Sequence, residues 1–505
     1  MSSSSYPAHR KVEPFESSPP THRPPLSTGR LHRFEAALIA LTILNLCFLP
    51  WAFGGVDSWS QLVSLGISVA TAVVALLPRR SANRSGDDNE SPDLMWPRLL
   101  GFPVFWAGLA LFAYVAAQAC NPAFEYESDH HAWWLNRIDP IPWMPAGMDA
   151  PFEISNTWRT LVIWGSSWLT VCALWVGITR RRSVLWILTA MAVNAAIFAS
   201  FGIIQKAAGA TAIYSVRPVQ DIHFVSALIY ENHASAFFSL VGCVSIGLVL
   251  RALRRGRSST ALSGLPGIFM LFSLLSIVGL LLSCSAAGFV LFGAALLVVA
   301  AAWLWRNTRA AFHPGGSLPV LMIAALLSIS TGVLLVSVGR RDLQKKIEAM
   351  VGGGGAGEIK IRLLADARGW EMFADSWALG WGAGDFQYGF TKYQHREDAL
   401  RTRGDERLRW EHVHNDWLEL LIELGVVGFA PVAFILGYWL FGIFRSCMWK
   451  DPSKLAMLAG LAALATHAFF DFPLQNPAVL MTACVLLPLL IRWTEMEGKF
   501  GDPSS

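Results

Sequence analysis

Charge is what this sequence has least of. Only 15% of its 505 residues are Asp, Glu, Lys or Arg, against about a quarter in an ordinary soluble domain. A water-facing surface of ordinary composition cannot be built at that density. Cysteine is scarce as well. Its seven residues (Cys47, Cys120, Cys172, Cys243, Cys284, Cys447, Cys484) fall almost all inside or beside apolar stretches. They show no pairing or metal-ligand spacing, so they read as small buried hydrophobes. The one glycine-rich run, 352–357, lacks a Gly-Lys-Ser/Thr ending and a preceding strand. It is therefore read as a hinge and not as a phosphate cradle. No internal repeat is visible, and no matched pair of Gly/Pro-broken apolar segments, the mark of inverted-repeat transporters, stands out.

What is abundant is apolar length. Hydrophobic residues make up 54% of the chain, and runs of the ~20 residues that a membrane helix needs recur throughout. Twelve spans are expected, at about 34–53, 59–78, 98–119, 158–178, 184–207, 232–250, 267–283, 286–304, 318–338, 417–444, 455–470 and 478–493. The stretch 267–304 reads either as one kinked helix or as two short ones. With the N-terminus placed in the cytoplasm, Arg79, Arg80 and Arg84, Arg180 to Arg182, Arg251, Arg254, Arg255 and Arg257, Arg306 and Arg309, and Arg445, Lys450 and Lys454 all fall on inner loops. The short outer loops hold almost no cations, as the positive-inside rule requires. The net charge of +4 is thus a matter of topology and gives no sign of nucleic-acid binding.

The expected fold is an all-α integral membrane bundle of about 12 transmembrane helices, with a small helical periplasmic domain between spans 9 and 10. Its parts are a disordered cytoplasmic tail (1–33), spans 1 to 9 (34–338), the periplasmic loop domain (339–415), spans 10 to 12 (416–494) and a short cytoplasmic tail (495–505). The N-terminal 30 residues are rich in Ser, Pro and His and lack the apolar core of a signal peptide. Three outer segments are substantial. The first, 120–157, holds Trp133, Trp134 and Trp143, with Trp158 just beyond it; these suit a membrane interface or a sugar face. The second, 208–231, leads into Tyr230-Glu231-Asn232-His233, and the third is the loop domain itself. There a charged stretch, Arg340 to Met350, precedes the glycine run, and Arg362 to Trp377 follows with apolar residues at helical spacing.

The segment His412-Val413-His414-Asn415-Asp416-Trp417-Leu418-Glu419 closes this loop and opens the apolar run Leu420 to Phe444. Two imidazoles, an amide and several carboxylates therefore gather at the mouth of a membrane helix, where ionisable groups are costly and usually functional. Capping explains part of the pattern. Asn and Asp are good N-caps, and Asp416 with Glu419 has the spacing of a capping box. It does not explain two histidines. Glu419 and Glu423 share a helix face, and Glu423, deeper in the span, reads as a structural polar contact.

Several motifs in order resemble one family. They are Glu231-Asn232-His233, the elbow Ser283-Cys284-Ser285-Ala286-Ala287-Gly288, Arg362 through Asp375 to Gly380-Trp381-Gly382-Ala383-Gly384-Asp385-Phe386, His412-Val413-His414-Asn415 through Glu423-Leu424-Gly425-Val426-Val427-Gly428, and Asp471-Phe472-Pro473-Leu474-Gln475-Asn476-Pro477. Together they are similar to the O-antigen ligase and O-antigen polymerase superfamily, bacterial membrane transferases of lipid-linked glycans. The likeness covers residues from about 220 to 490. Two departures stand out: Ala286 and Ala287 occupy the place of the family's elbow arginine, and Trp377 stands where a proline usually precedes the Gly-x-Gly turn.

The resemblance implies transfer of a glycan from an undecaprenyl-diphosphate donor to an acceptor hydroxyl of a glycan, lipid or protein, at the periplasmic face of the inner membrane. It implies no metal and no cofactor. His414 is then the group expected to activate the acceptor, with His412 positioning it or substituting for it, since an imidazole titrates near neutrality. Arg362 is the first candidate for the diphosphate, with Arg368 sharing the role and Arg217 replacing the absent elbow arginine. Asn232, Asn415, Glu419 and Asp471 complete the candidate substrate-binding set. Membrane lipids are the remaining expected partner, and both termini are expected in the cytoplasm. The competing readings are a polytopic transporter or flippase that only binds such a ligand, and a catalytically inactive relative.

Overall fold

The computed structural model describes residues 32–79, 94–129, 132–219, 224–255, 264–307, 354–403, 406–407 and 409–499. Among these, ten helices are long and apolar enough to cross a membrane. They are α1 (Arg33–Trp51), α2 (Ser58–Leu76), then, after a short α3 (Trp96–Leu100), α4 (Pro103–Cys120), α5 (Thr157–Gly177), α6 (Arg181–Ala207), α7 (Glu231–Arg255), α8 (Leu265–Leu282) and α9 (Ala286–Asn307). Beyond the next gap come α10 (Gly354–Asp375) and the short α11 (Phe386–Gly389), α12 (Thr391–Gln394) and α13 (Asp398–Arg401). The chain ends in α14 (Asp416–Arg445), α15 (Pro452–His467) and α16 (Pro477–Lys499), of which α14 and α16 complete the ten. α15 is a mostly apolar helix of 16 residues packed between α7 and α9.

The chain is thus an all-α integral membrane protein with the spans close to where apolar length placed them. The expected span 318–338 and the stretch Arg340 to Met350 lie outside the described residues, as does nearly all of each tail. The undecided stretch 267–304 is two helices. They part at Ser283–Ser285, where Cys284 takes φ +54° and Ser285 Oγ accepts from Gly288 N at 3.3 Å. α10 begins inside the glycine run at Gly354, so only Gly352 and Gly353 of the expected hinge precede it.

The bundle is built around α7. In its most apolar stretch 89% of residues are buried against α8, α15, α6 and α9, whereas α14, at 28%, lies along α4 at the edge. One element was not anticipated. The segment between α4 and α5 folds into a three-stranded sheet of β1 (Pro122–Ser128), β2 (Trp133–Arg137) antiparallel to it, and β3 (Gly147–Asp149) parallel on its other side. Asn121 ties the loop off, accepting Ile141 N at 2.8 Å and donating to Pro145 O at 3.2 Å. The signal lay in the alternation Phe124-Glu125-Tyr126-Glu127, a period-two pattern.

α14 is not the unbroken helix that its apolar run suggests. Gly425 has φ +61° and ψ −178°, and the helical ladder stops there, nine residues or about 14 Å along the helix. Backbone groups freed at such depth must find partners inside the protein. Residues 377–382 provide them. Trp381 N donates to Ile422 O at 3.0 Å and Gly382 N to Glu423 O at 3.0 Å, while Val426 N donates to Trp377 O at 2.8 Å and Val427 N to Ala378 O at 3.1 Å. Gln118 Nε2 on α4 adds a second bond to Glu423 O at 3.0 Å. The two backbones touch: a Cβ on Gly425 would lie 2.5 Å from Ala378 O, and one on Gly380 would lie 2.2 Å from Glu423 O.

Gly425→Ala should therefore lower stability by about 2–4 kcal/mol, combining left-handed strain with a backbone clash. Gly437→Ala, in the same helix with nothing within 4 Å of its Cβ, should change it by less than about 1 kcal/mol. Thermal unfolding of the two variants in detergent tests this; equal midpoints would mean that the break is not a structural weld.

Candidate functional site

The site forms where three helix ends meet α10. α15 ends at His467, and the chain turns through Phe470 so that Asp471 faces inward, 1% exposed. A carboxylate so buried needs partners, and Asp471 collects them from three directions. Its Oδ2 accepts Asn232 Nδ2 at 2.5 Å, the Tyr230 hydroxyl at 3.3 Å and Arg362 Nη1 at 3.0 Å; its Oδ1 accepts Phe472 N at 2.9 Å. Arg362 Nη1 also donates to Phe470 O at 2.7 Å, so α10 is pinned to the turn after α15. His414 Nδ1 stands 3.8 Å from Asp471 Oδ1, within ion-pair range and beyond a hydrogen bond. Burial alone pushes the Asp471 carboxyl up, but His414 and Arg362 outweigh it and hold the group well below the usual carboxylate range.

Phe472 is the wall on which the rings assemble. Tyr230 stacks on it at 5.0 Å and His412 at 4.5 Å, while His233 and His414 meet it edge-on at 5.2 and 4.9 Å. His233 Nε2 also lies 3.2 Å from Phe472 O. The backbone brings His414 here in the left-handed region, at φ +65°; histidine is among the residues that tolerate it better than most.

Asn415 is the N-cap of α14 and accepts Leu418 N at 3.2 Å. The cap is therefore Asn415 and not Asp416, and Glu419 does not close a capping box. Its buried carboxylate reaches back past the cap, accepting Val413 N at 2.9 Å and Gln475 Nε2 at 3.0 Å, and meets His412 Nδ1 at 2.7 Å. Burial opposes protonation of His412. Glu419, with Glu411 and Asp471, prevails and raises its pKa above the ordinary imidazole value. Asn415 also bonds Asp366, one turn along α10 from Arg362. Burial pushes Asp366 up to about 6 against the opposing pull of Asn415 and Arg362.

Four of the expected residues, Asn232, Arg362, His414 and Asp471, thus meet directly. His412 and Glu419 adjoin them across Phe472, and Asn415 positions the segment. Two do not join. Arg368 is paired with Glu371 and, at 2.5 Å, with Glu397. Arg217 grips Asp57 at 3.0 and 3.1 Å over the Phe53 ring, tying the segment before α7 to the connection between α1 and α2. Glu423 accepts Phe386 N at 3.3 Å beside the break in α14. Tyr230, Phe472, Gln475 and Asp366 complete the site, though none had been singled out as a site residue. The first three sit inside the quoted Tyr230–His233 and Asp471–Pro477 segments, whose polar and aromatic density was the available signal. Among the described residues, no group of three or more His, Cys, Asp or Glu side chains is arranged to hold a metal ion.

Removing either partner should test the central pair. In a double-mutant cycle of Arg362→Gln and Asp471→Asn, unfolding should report a coupling of about 1–3 kcal/mol. Additive effects would place Arg362 outside the hub. The folded pKa of Asp471 lies below its unfolded value. Its contribution is therefore complete above about pH 4 and is lost as pH falls towards the folded value. Asp471→Asn should flatten that acid limb of stability against pH.

Residues 271–433, about a third of the chain, match the family model described as O-antigen ligase. The match spans the α8–α9 elbow, Arg362, the His412–Glu419 segment and the break in α14; Asn232 and Asp471 lie outside it. No curated protein matches the chain.

Proposed function

The match over residues 271–433 supports the O-antigen ligase/polymerase superfamily, and on that premise we propose a membrane glycosyltransferase. It moves a glycan from an undecaprenyl-diphosphate donor to an acceptor hydroxyl at the periplasmic face of the inner membrane, with both termini in the cytoplasm. One observation carries the reading: a cation, an amide, two imidazoles and a buried carboxylate converge on Asp471 and Phe472 at one end of the bundle.

The three jobs of such a transfer suit those groups. Arg362 presents a partly exposed guanidinium (27% of its side chain) beside the membrane edge, where a planar fork suits a diphosphate. His414 and His412 flank Phe472, and an imidazole there receives the proton of the attacking hydroxyl. Asn232 and Tyr230, fixed on Asp471, orient the reacting sugar by hydrogen bonds, and the ring cluster keeps water away. Because Arg217 is held by Asp57, the charge lost with the elbow arginine falls to Arg362 and the histidines.

The flippase reading predicted ionisable residues spread through several spans and discontinuous helices at the midplane. α14 is discontinuous, but residues 377–382 fill the break, and the ionisable cluster sits at one end of the bundle.

The purified chain in nanodiscs, given a lipid-linked oligosaccharide, should yield a ladder on a gel if it polymerises, or a single shift with an added acceptor if it ligates. His414→Asn suits this comparison better than alanine because asparagine tolerates φ +65°. It should reduce product by on the order of 10²-fold or more. Donor binding without product in the wild type would favour a flippase or an inactive relative.

A further inference from the structure

We propose that the sheet between α4 and α5 is a second binding site, a platform for neutral sugar units of the glycan being transferred; this rests on the transferase reading above. Alternation along paired strands sorts the sheet's side chains into two unlike faces. Glu125 lies opposite Asn136 and Glu127 opposite Trp134, while Phe124, Tyr126 and Ser128 lie opposite Arg137, Leu135 and Trp133. The second set holds the sheet to the protein. Tyr126 and Trp133 stack at 5.9 Å, and both meet Tyr388 of α11, at 5.7 and 5.9 Å. The Arg409 guanidinium covers the Trp133 ring at 5.3 Å, and its Nη2 donates to Gln387 Oε1 at 2.7 Å. The first set is turned the other way: Glu125, Glu127, Trp134 and Asn136 are all exposed.

These four side chains are complementary to a pyranose. An indole offers a flat apolar surface on which the C–H face of a sugar ring packs. Carboxylates accept hydroxyl hydrogens in strong, charge-assisted bonds, and an amide supplies both donor and acceptor. Because the reverse face is already packed, little ordering remains to be done on binding. Charge selects the occupant. Residues 121–157 hold six acids (Glu125, Glu127, Asp129, Asp139, Asp149, Glu153) and one arginine, Arg137. Two carboxylates beside the indole repel a glycan that bears carboxylates of its own. A segment seated on a bilayer carries Lys and Arg around its aromatic residues, and here that balance is reversed. A neutral glycan is the occupant that fits.

The sheet also lies beside the candidate site. Arg409, over Trp133, is followed by Trp410, whose ring meets His414 at 5.5 Å. His412 is three residues further along, at most about 11 Å of chain. Sugars several units from the reacting one are therefore within reach of the sheet. Holding them there limits the swing of the chain and raises its effective concentration at the site.

The test uses the full chain in nanodiscs, labelled with 5-fluorotryptophan, with the Trp134 ¹⁹F resonance identified by its loss in Trp134→Phe. Titration with the tetramer of N-acetylglucosamine should shift that resonance saturably, and the tetramer of galacturonate should leave it in place. In Glu127→Gln or Asn136→Ala the midpoint with the neutral tetramer should rise by roughly threefold to tenfold. A Trp134 resonance unmoved by the neutral tetramer overturns the platform, and so does an equal shift with galacturonate. Broadening of the resonance by a lipid with a paramagnetic headgroup overturns it too, since the indole would then sit on the membrane. The titration needs no turnover, so the two readings fail separately. Product from lipid-linked oligosaccharide with an unmoved Trp134 overturns the platform alone. Saturable binding without product leaves the sheet as a glycan site and overturns the transferase reading.

Discussion

The buried carboxylate of Asp471 is the constraint around which this end of the molecule is organised. A charge that is 1% exposed at the end of a membrane bundle is tolerated only when paired and hydrogen-bonded, and its removal from a pair leaves a large uncompensated cost. Its partners come from the start of α7, from α10 and from the segment before α14, which are remote in sequence. Satisfying one charge therefore locks three parts of the chain in register. Arg362 is the only one of these partners carried by the extramembrane helix. The ion pair is thus the joint between that helix and the bundle.

The break in α14 is the second joint, and it uses backbone where the first uses charge. Gly425 stops the helix, and the loop Trp377–Gly382 replaces its missing ladder with four main-chain bonds. The loop is glycine-rich because the approach leaves no room for a Cβ at Gly380. What passes in sequence for a transporter-like irregularity is filled by protein. It fixes the Gly380–Gly384 turn against the same helix whose first turn carries Asn415 and Glu419. The two joints sit at opposite ends of the first nine residues of α14, so that short segment is held from both sides.

Much of this was legible before any coordinates. Apolar length located the ten described spans to within a few residues, because in a bilayer the backbone must satisfy itself locally and helices are the simplest solution. The polar residues worth attention were also legible, since charge at membrane depth is expensive enough to be informative. Their pairing was not. Asp471 finds Asn232 across 239 residues and Arg362 across 109, and no local period encodes such contacts. Local rules even misdirected in one place. The spacing of Asp416 and Glu419 fits a capping box, yet Asn415 satisfies the helix end first, and the glutamate is released to serve His412. Arg217 and Arg368 illustrate the complementary failure. A cation on the outer side is attractive as a phosphate ligand until Asp57, Glu371 and Glu397 are seen to hold it.

That release of Glu419 gives the two histidines different chemistry. They lie two residues apart, yet one ring lies flat on Phe472 and the other meets it edge-on. Each therefore faces a different carboxylate. An apolar wall between two charge systems keeps the local dielectric low, which strengthens each pairing separately. On one side Asp471 is committed to Arg362, Asn232 and Tyr230, an arrangement suited to holding charge in place. On the other side Glu419 fixes a single imidazole through one short bond.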